Sequence, residues 1–96
     1  MGIGDLLKAK RGAILRIAEQ CGIQNVRIFG SVARQEATAA SDVDLLVSVQ
    51  KGRNLLDLIA FAQDVEELLG CNVDVVAEGG ISPYLADRIY AEARPL

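Results

Sequence analysis

Three aspartates stand where aspartate serves structure poorly. Asp42 and Asp44 flank Val43 and lead into the apolar run Leu45, Leu46 and Val47, while Asp74 sits between Val73 and Val75. Aspartate is a weak strand former, so two interruptions of apolar strands need a chemical reason. Carboxylates in such a set can share divalent cations, and Mg²⁺ prefers carboxylate oxygens together with substrate phosphates. Two Mg²⁺ ions about 3.5–4 Å apart, clamped by a trio of this kind, stabilise in-line displacement at phosphorus. Two carboxylates about 5 Å apart would otherwise repel by roughly 3 kcal/mol at an effective dielectric near 20. One of them would then hold its proton unless a cation lay between them.

Geometry must bring the three together. Strand side chains alternate faces, so Asp42, Asp44 and Leu46 share one side while Val43, Leu45 and Val47 share the other. In the next strand Asn72, Asp74 and Val76 point opposite to Val73 and Val75. With both valine faces on the core, the aspartates emerge together on the far face. A bare pair two residues apart, common by chance, reads better as a turn residue and a solvated strand position. The third aspartate in matched phase, and the segment before the pair, make the pattern specific.

That segment is Gly30-Ser31, at the junction of a strand and a short helix. Glycine lets backbone approach a ligand closely. Ser31 is expected to cap the helix, leaving its hydroxyl and the following N–H groups to face an anion. Arg34, one turn on, is placed to join that site or to pair with a carboxylate. Alone, this would be an ordinary capped turn. Together with the aspartates it supplies a phosphate cradle beside a metal site.

The positioning elements are readable from hydrophobic period and stop signals. A first helix is expected from about Asp5 to Cys21, ended by Gly22. Val26, Ile28 and Phe29 form a short strand, and residues 31–41 leave room for a helical turn or two. Val43–Val49 is a second strand. Asn54 caps a third helix whose apolar stripe is Leu55, Leu58, Ile59, Ala62, Val65, Leu68 and Leu69, closed by Gly70. Asn72–Ala77 is a third strand, followed by a turn at Gly79-Gly80. Ser82 as cap and Pro83 at the first position open a last helix to about Ala93. The fold class is α/β: a small mixed sheet of about three strands with helices on it, ordered α-β-(short α)-β-α-β-α.

Composition bounds the rest. Ninety-six residues, 51% hydrophobic and 24% charged, make one domain spanning 1–96. The net charge of −3 gives nucleic-acid binding no support. Lys8, Lys10, Arg11 and Arg16 read as the solvated face of the first helix. There is no histidine, and Cys21 and Cys71 are far apart, which excludes a zinc centre and Ser-His or Cys-His catalysis within the chain. No leader pattern or membrane-length apolar run is present, so a cytoplasmic chain with reduced thiols packed in the core is expected.

The stretch Gly30-Ser31-Val32-Ala33-Arg34-Gln35-Glu36, a short spacer, and Ser41-Asp42-Val43-Asp44-Leu45-Leu46-Val47 resembles the signature of the DNA polymerase β-like nucleotidyltransferases. Within that superfamily the chain is similar to the minimal nucleotidyltransferase (MNT) group, with its GSxARG and SDxDL pattern. The likeness extends over Val73-Asp74-Val75 and the closing Tyr90-Ala91-Glu92-Ala93-Arg94-Pro95-Leu96. One departure is Gln35, where the group commonly has glycine.

The resemblance implies roles. Asp42 and Asp44 would coordinate Mg²⁺ bridging a triphosphate. Asp74 would complete a second metal site and help activate the attacking hydroxyl. Gly30 and Ser31 would hold the β- and γ-phosphates with support from Arg34. It also implies ATP as donor and, for antitoxins of HEPN/MNT pairs, a tyrosine of a HEPN-type toxin as acceptor, in an oligomer or hetero-complex. Two alternatives are an antitoxin that neutralises its partner by stoichiometric binding, and a transferase for a small hydroxylated molecule. The latter kind usually carries a further helical domain for its acceptor.

Overall fold

The computed structural model describes residues 2–36 and 42–96. Ser41, part of the signature above, lies outside the described residues. The elements run α1 (Ile3–Gln20), β1 (Ile23–Phe29), α2 (Gly30–Ala33), β2 (Val43–Val49), α3 (Leu55–Leu69), β3 (Val73–Ala77), a 3₁₀ turn (Glu78–Gly80), α4 (Pro83–Glu92) and β4 (Arg94–Pro95). The sheet is mixed and its order is β3-β2-β1-β4.

The fourth strand corrects the expectation of about three. Arg94 and Pro95 pair antiparallel with Ile28 and Arg27 at the sheet edge. Two residues without apolar alternation carry no strand signal, and proline is tolerated in a strand at an edge. β1 and β2 are antiparallel, with a bulge between Gln24 and Arg27 that leaves Asn25 at φ 53°. The bulge starts the strand three residues before the expected Val26. β2 and β3 are parallel, which requires a crossover, and α3 supplies it.

α1 and α3 cover one face of the sheet. The core between them holds Leu7, Ile14 and Ala18 of α1, Phe61, Val65 and Leu69 of α3, and Val43, Leu45, Val47 and Val73 of the strands. Burying each of the larger of these side chains contributes about 1.5–3 kcal/mol. Cys21 and Cys71 pack against this cluster and are partly buried.

α3 is fixed at both ends. The Asn54 side chain accepts from the Leu56 N–H at 2.9 Å, and the Asp57 carboxylate accepts from the Asn54 N–H at 3.0 Å. Gly70 ends the helix in the left-handed region, φ 70°. The expected apolar stripe needs correction, however. Leu55 and Ile59 are exposed, and Phe61, outside that stripe, is fully buried. At 100° per residue Ile59 points about 160° from Phe61, so one helix cannot bury both against a flat sheet.

The other face carries the aspartates. Leu46 lies there and is still 0% exposed. The 3₁₀ turn packs against β2, and α4 packs against β1 and α2. Arg27, facing Leu46 across the ladder, pairs with Glu78 of the turn and lies 5.9 Å from the centroid of the Tyr90 ring in α4. Ser82 occupies the cap position of α4 but its side chain makes no capping hydrogen bond. Among the described residues no helix is long and apolar enough to cross a membrane.

Candidate active site

β2 and β3 bring two of the aspartates into register. Asp44 and Asp74 are directly paired positions of the parallel ladder, as are Val43 and Val73. Adjacent strands lie about 4.8 Å apart, so the two carboxylates leave the same face side by side. The Val43 N–H donates to the Asn72 carbonyl at 3.0 Å and fixes that register at its start. Asp42, just before β2, is exposed, Asp44 is half-buried and Asp74 is exposed.

β1 delivers the loop to the same place. Phe29 pairs with Asp44 across the antiparallel ladder, so the next residue, Gly30, meets the Asp44 side chain. Gly30 has φ 74°, and a β-carbon there would collide with Asp44 Oδ2. Only glycine permits both the dihedral and the contact. Ser31 is not the cap of α2. The helix begins at Gly30, with Phe29 in the cap position, which puts Ser31 inside its first turn.

An open cleft of about 460 Å³ collects these residues. Gly30, Ser31, Arg34, Asp42 and Asp44 line it from the sheet side. Leu85, Arg88, Ile89 and Glu92 of α4 form the opposite wall. Asp74 stands next to Asp44 but outside this lining.

Glu92 binds the loop directly. Its carboxylate accepts from the Gly30 N–H at 3.3 Å, from Arg34 Nη1 at 2.8 Å and from Arg88 Nε at 3.4 Å. Arg34 also donates through Nε to Glu36 at 3.1 Å. Sequence reasoning missed Glu92 and Arg88. Their spacing of four is visible in the chain, but no local pattern ties α4 to a glycine 62 positions earlier.

The charges at the site oppose one another. Burial pushes the Asp44 carboxyl above its ordinary 3.8; repulsion from Asp74 and then Asp42 adds to this, while Arg34 opposes it. Burial also works against ionisation of Glu92, but the hydrogen bonds from Arg34 and Arg88 outweigh it and hold its carboxyl below the ordinary range. An acid raised by burial first, and then by neighbouring acids, stands in a site that gains from a cation.

Among the described residues, no three His, Cys, Asp or Glu side chains converge closely enough to hold a metal by themselves. Mg²⁺ does not require that. It keeps several waters and is commonly held by one or two carboxylates plus substrate phosphates. The Asp42–Asp44 pair, which lines the same cleft as Gly30, Ser31 and Arg34, fits that donor set.

The family model described as "Nucleotidyltransferase domain" matches residues 11–96. The chain belongs to that family. Nucleotidyl transfer is therefore its class of chemistry. A Methanocaldococcus jannaschii protein that bears the provisional name protein adenylyltransferase is 44% identical over 80 residues, covering 83% of this chain and 86% of that one. The protein adenylyltransferase MntA of Thermococcus cleftensis is 34% identical over 76 residues, 79% of this chain and 77% of its own. A solved structure provisionally described as a minimal nucleotidyltransferase superposes with a TM-score of 0.88 at 45% identity, over 100% of this chain and 97% of that one. A toxin–antitoxin structure with AMP-PNP superposes at 0.73 and 20% identity, over 85% of this chain and 68% of its own, and shares the fold.

Proposed function

We propose that this nucleotidyltransferase, acting as one domain, transfers AMP from ATP to a hydroxyl of a partner protein. The proposed acceptor is a tyrosine of a HEPN-type toxin, which makes the chain an antitoxin working in the cytoplasm. The observation that carries the reading is the in-register pairing of Asp44 with Asp74 beside the Gly30 loop. The relatives named as protein adenylyltransferases support the protein as acceptor class, and the toxin–antitoxin neighbour supports the kind of partner.

In this reading Asp42 and Asp44 would hold Mg²⁺, which supplies positive charge against the phosphate oxygens. The Gly30 N–H, Ser31 and Arg34 would hold the β- and γ-phosphates. Asp74 would complete a second metal position or take the proton directly from the acceptor hydroxyl. The acceptor oxygen forms its bond to the α-phosphorus as the bond from phosphorus to the bridging oxygen breaks. Pyrophosphate leaves with the electron pair, and the hydroxyl proton passes to the carboxylate.

The test is direct. The protein is incubated with α-labelled ATP, Mg²⁺ and the product of the adjacent gene. Label on the partner, lost in Asp44→Asn, supports the reading; binding of the partner without label rejects it.

Exposed apolar residues favour a second reading. Tyr84 is 96% exposed and Leu85 of the cleft wall is also exposed, a surface suited to holding a partner. Neutralisation by binding alone would survive Asp42→Ala with Asp44→Ala.

A further inference from the structure

Glu92 sits where a helix gains nothing from it. It is the last residue of α4, at the negative end of the helix dipole, where a carboxylate is disfavoured. Its partner Arg88 precedes it by four, the weaker order for a helical ion pair. What it gains instead are donors from outside the helix. The Gly30 N–H and Arg34 both end on its two oxygens, with Arg88 as the third donor. Charged donors that bind a carboxylate in this manner bind phosphate oxygens equally well.

We infer that Glu92 is a built-in competitor for the polyphosphate of the nucleotide: its carboxylate occupies the donors that a phosphate must take over, and so sets how tightly a triphosphate is held. The inference rests on the reading of the cleft as a nucleotide site. An incoming polyphosphate and the Glu92 carboxylate cannot share the Gly30 N–H, and at contact they repel. Displacement is open to the side chain, because Arg88 is 70% exposed and water reaches the outer side of the cluster. Once Glu92 leaves, Arg34 Nη1 and Arg88 Nε are released to a ligand in the cleft, while Arg34 keeps Glu36 on its Nε. Only a ligand with several anionic oxygens offsets the loss of the three bonds. Glu92 thereby selects polyphosphates over ligands with one charge or none.

The experiment compares the wild-type protein with Glu92→Gln by calorimetric titration, using inorganic tripolyphosphate, ATP with Mg²⁺, and adenosine. Glutamine keeps the size and an acceptor oxygen but removes the charge. Glu92→Gln should bind tripolyphosphate and ATP about tenfold tighter, in line with the usual strength of hydrogen bonds to charged groups, and should leave adenosine unchanged. Equal or weaker polyphosphate binding overturns the inference and makes Glu92 a residue that holds Arg34 in place. If Glu92→Gln does not fold, the wild-type protein decides. The carboxyl-carbon NMR signal of Glu92 should move to the value of a free side chain at saturating tripolyphosphate, and an unmoved signal overturns the inference. Absence of polyphosphate binding by both proteins instead removes the nucleotide reading itself.

Discussion

Asp44 and Asp74 occupy paired positions of a parallel ladder, so two carboxylates from strands 30 residues apart in sequence share one face of the sheet. The fold sets them against each other and against Asp42. Burial first, and this repulsion after it, raises the Asp44 carboxyl above its ordinary 3.8.

The first prediction concerns pH. Because the folded pKa of Asp44 is raised, the folded protein binds its proton more tightly than the unfolded chain does. Stability is therefore lost as pH rises from the ordinary 3.8 through the raised value. Asp44→Asn removes that loss. In denaturant titrations without divalent ions, the variant should be the more stable protein above this window, and the difference should vanish below it.

Magnesium should reverse the order. A cation between the carboxylates removes their repulsion and binds only the folded chain. Added Mg²⁺ should raise the melting temperature of the wild-type protein and leave Asp44→Asn nearly unmoved, and chelation should restore the original values. A thermal scan with and without EDTA checks this.

Gly30→Ala should damage both site and fold. Its β-carbon would force the Asp44 carboxylate aside, and a left-handed alanine costs about 1–2 kcal/mol. Transfer should fall by on the order of 10²-fold or more, the usual cost of displacing one well-placed catalytic group. Denaturation midpoints and single-turnover rates report the two effects separately.

Gln35 is a place where the chain can be improved. Its φ of 61° lies in the left-handed region, strained for glutamine. The position is the one where the minimal nucleotidyltransferase pattern has glycine, so the departure costs backbone strain. Relief of about 1–2 kcal/mol, offset by roughly 0.5–1 kcal/mol of extra chain entropy, leaves Gln35→Gly up to about 1.5 kcal/mol more stable. Chemical denaturation measures it.

The sheet face of the aspartates was legible in the sequence because strand alternation depends on period alone. β2 has the bounds expected from its apolar run, and the phases of Asp44 and Asp74 agree with the ladder. The caps of α3 at Asn54 and Gly70 were equally local, and both hold. What escaped was non-local. β4 exists only through its pairing with β1, and Glu92 acquires its place only when α4 folds over Gly30. The exposure of Leu55 and Ile59 depends on the arc of α3 that the sheet selects, which the choice of Phe61 decides. Ser31 shifted from cap to first turn because Gly30 itself, at positive φ, opens the helix.

The most direct measurement is the single-turnover rate of AMP transfer to the partner by Asp44→Asn, Asp74→Asn and the double variant. Residues that act as one unit lose activity non-additively. Each single variant should lose on the order of 10²–10³-fold or more, and the double variant should be no slower than the worse of the two. An Asp74→Asn protein that transfers at the wild-type rate would contradict the shared site.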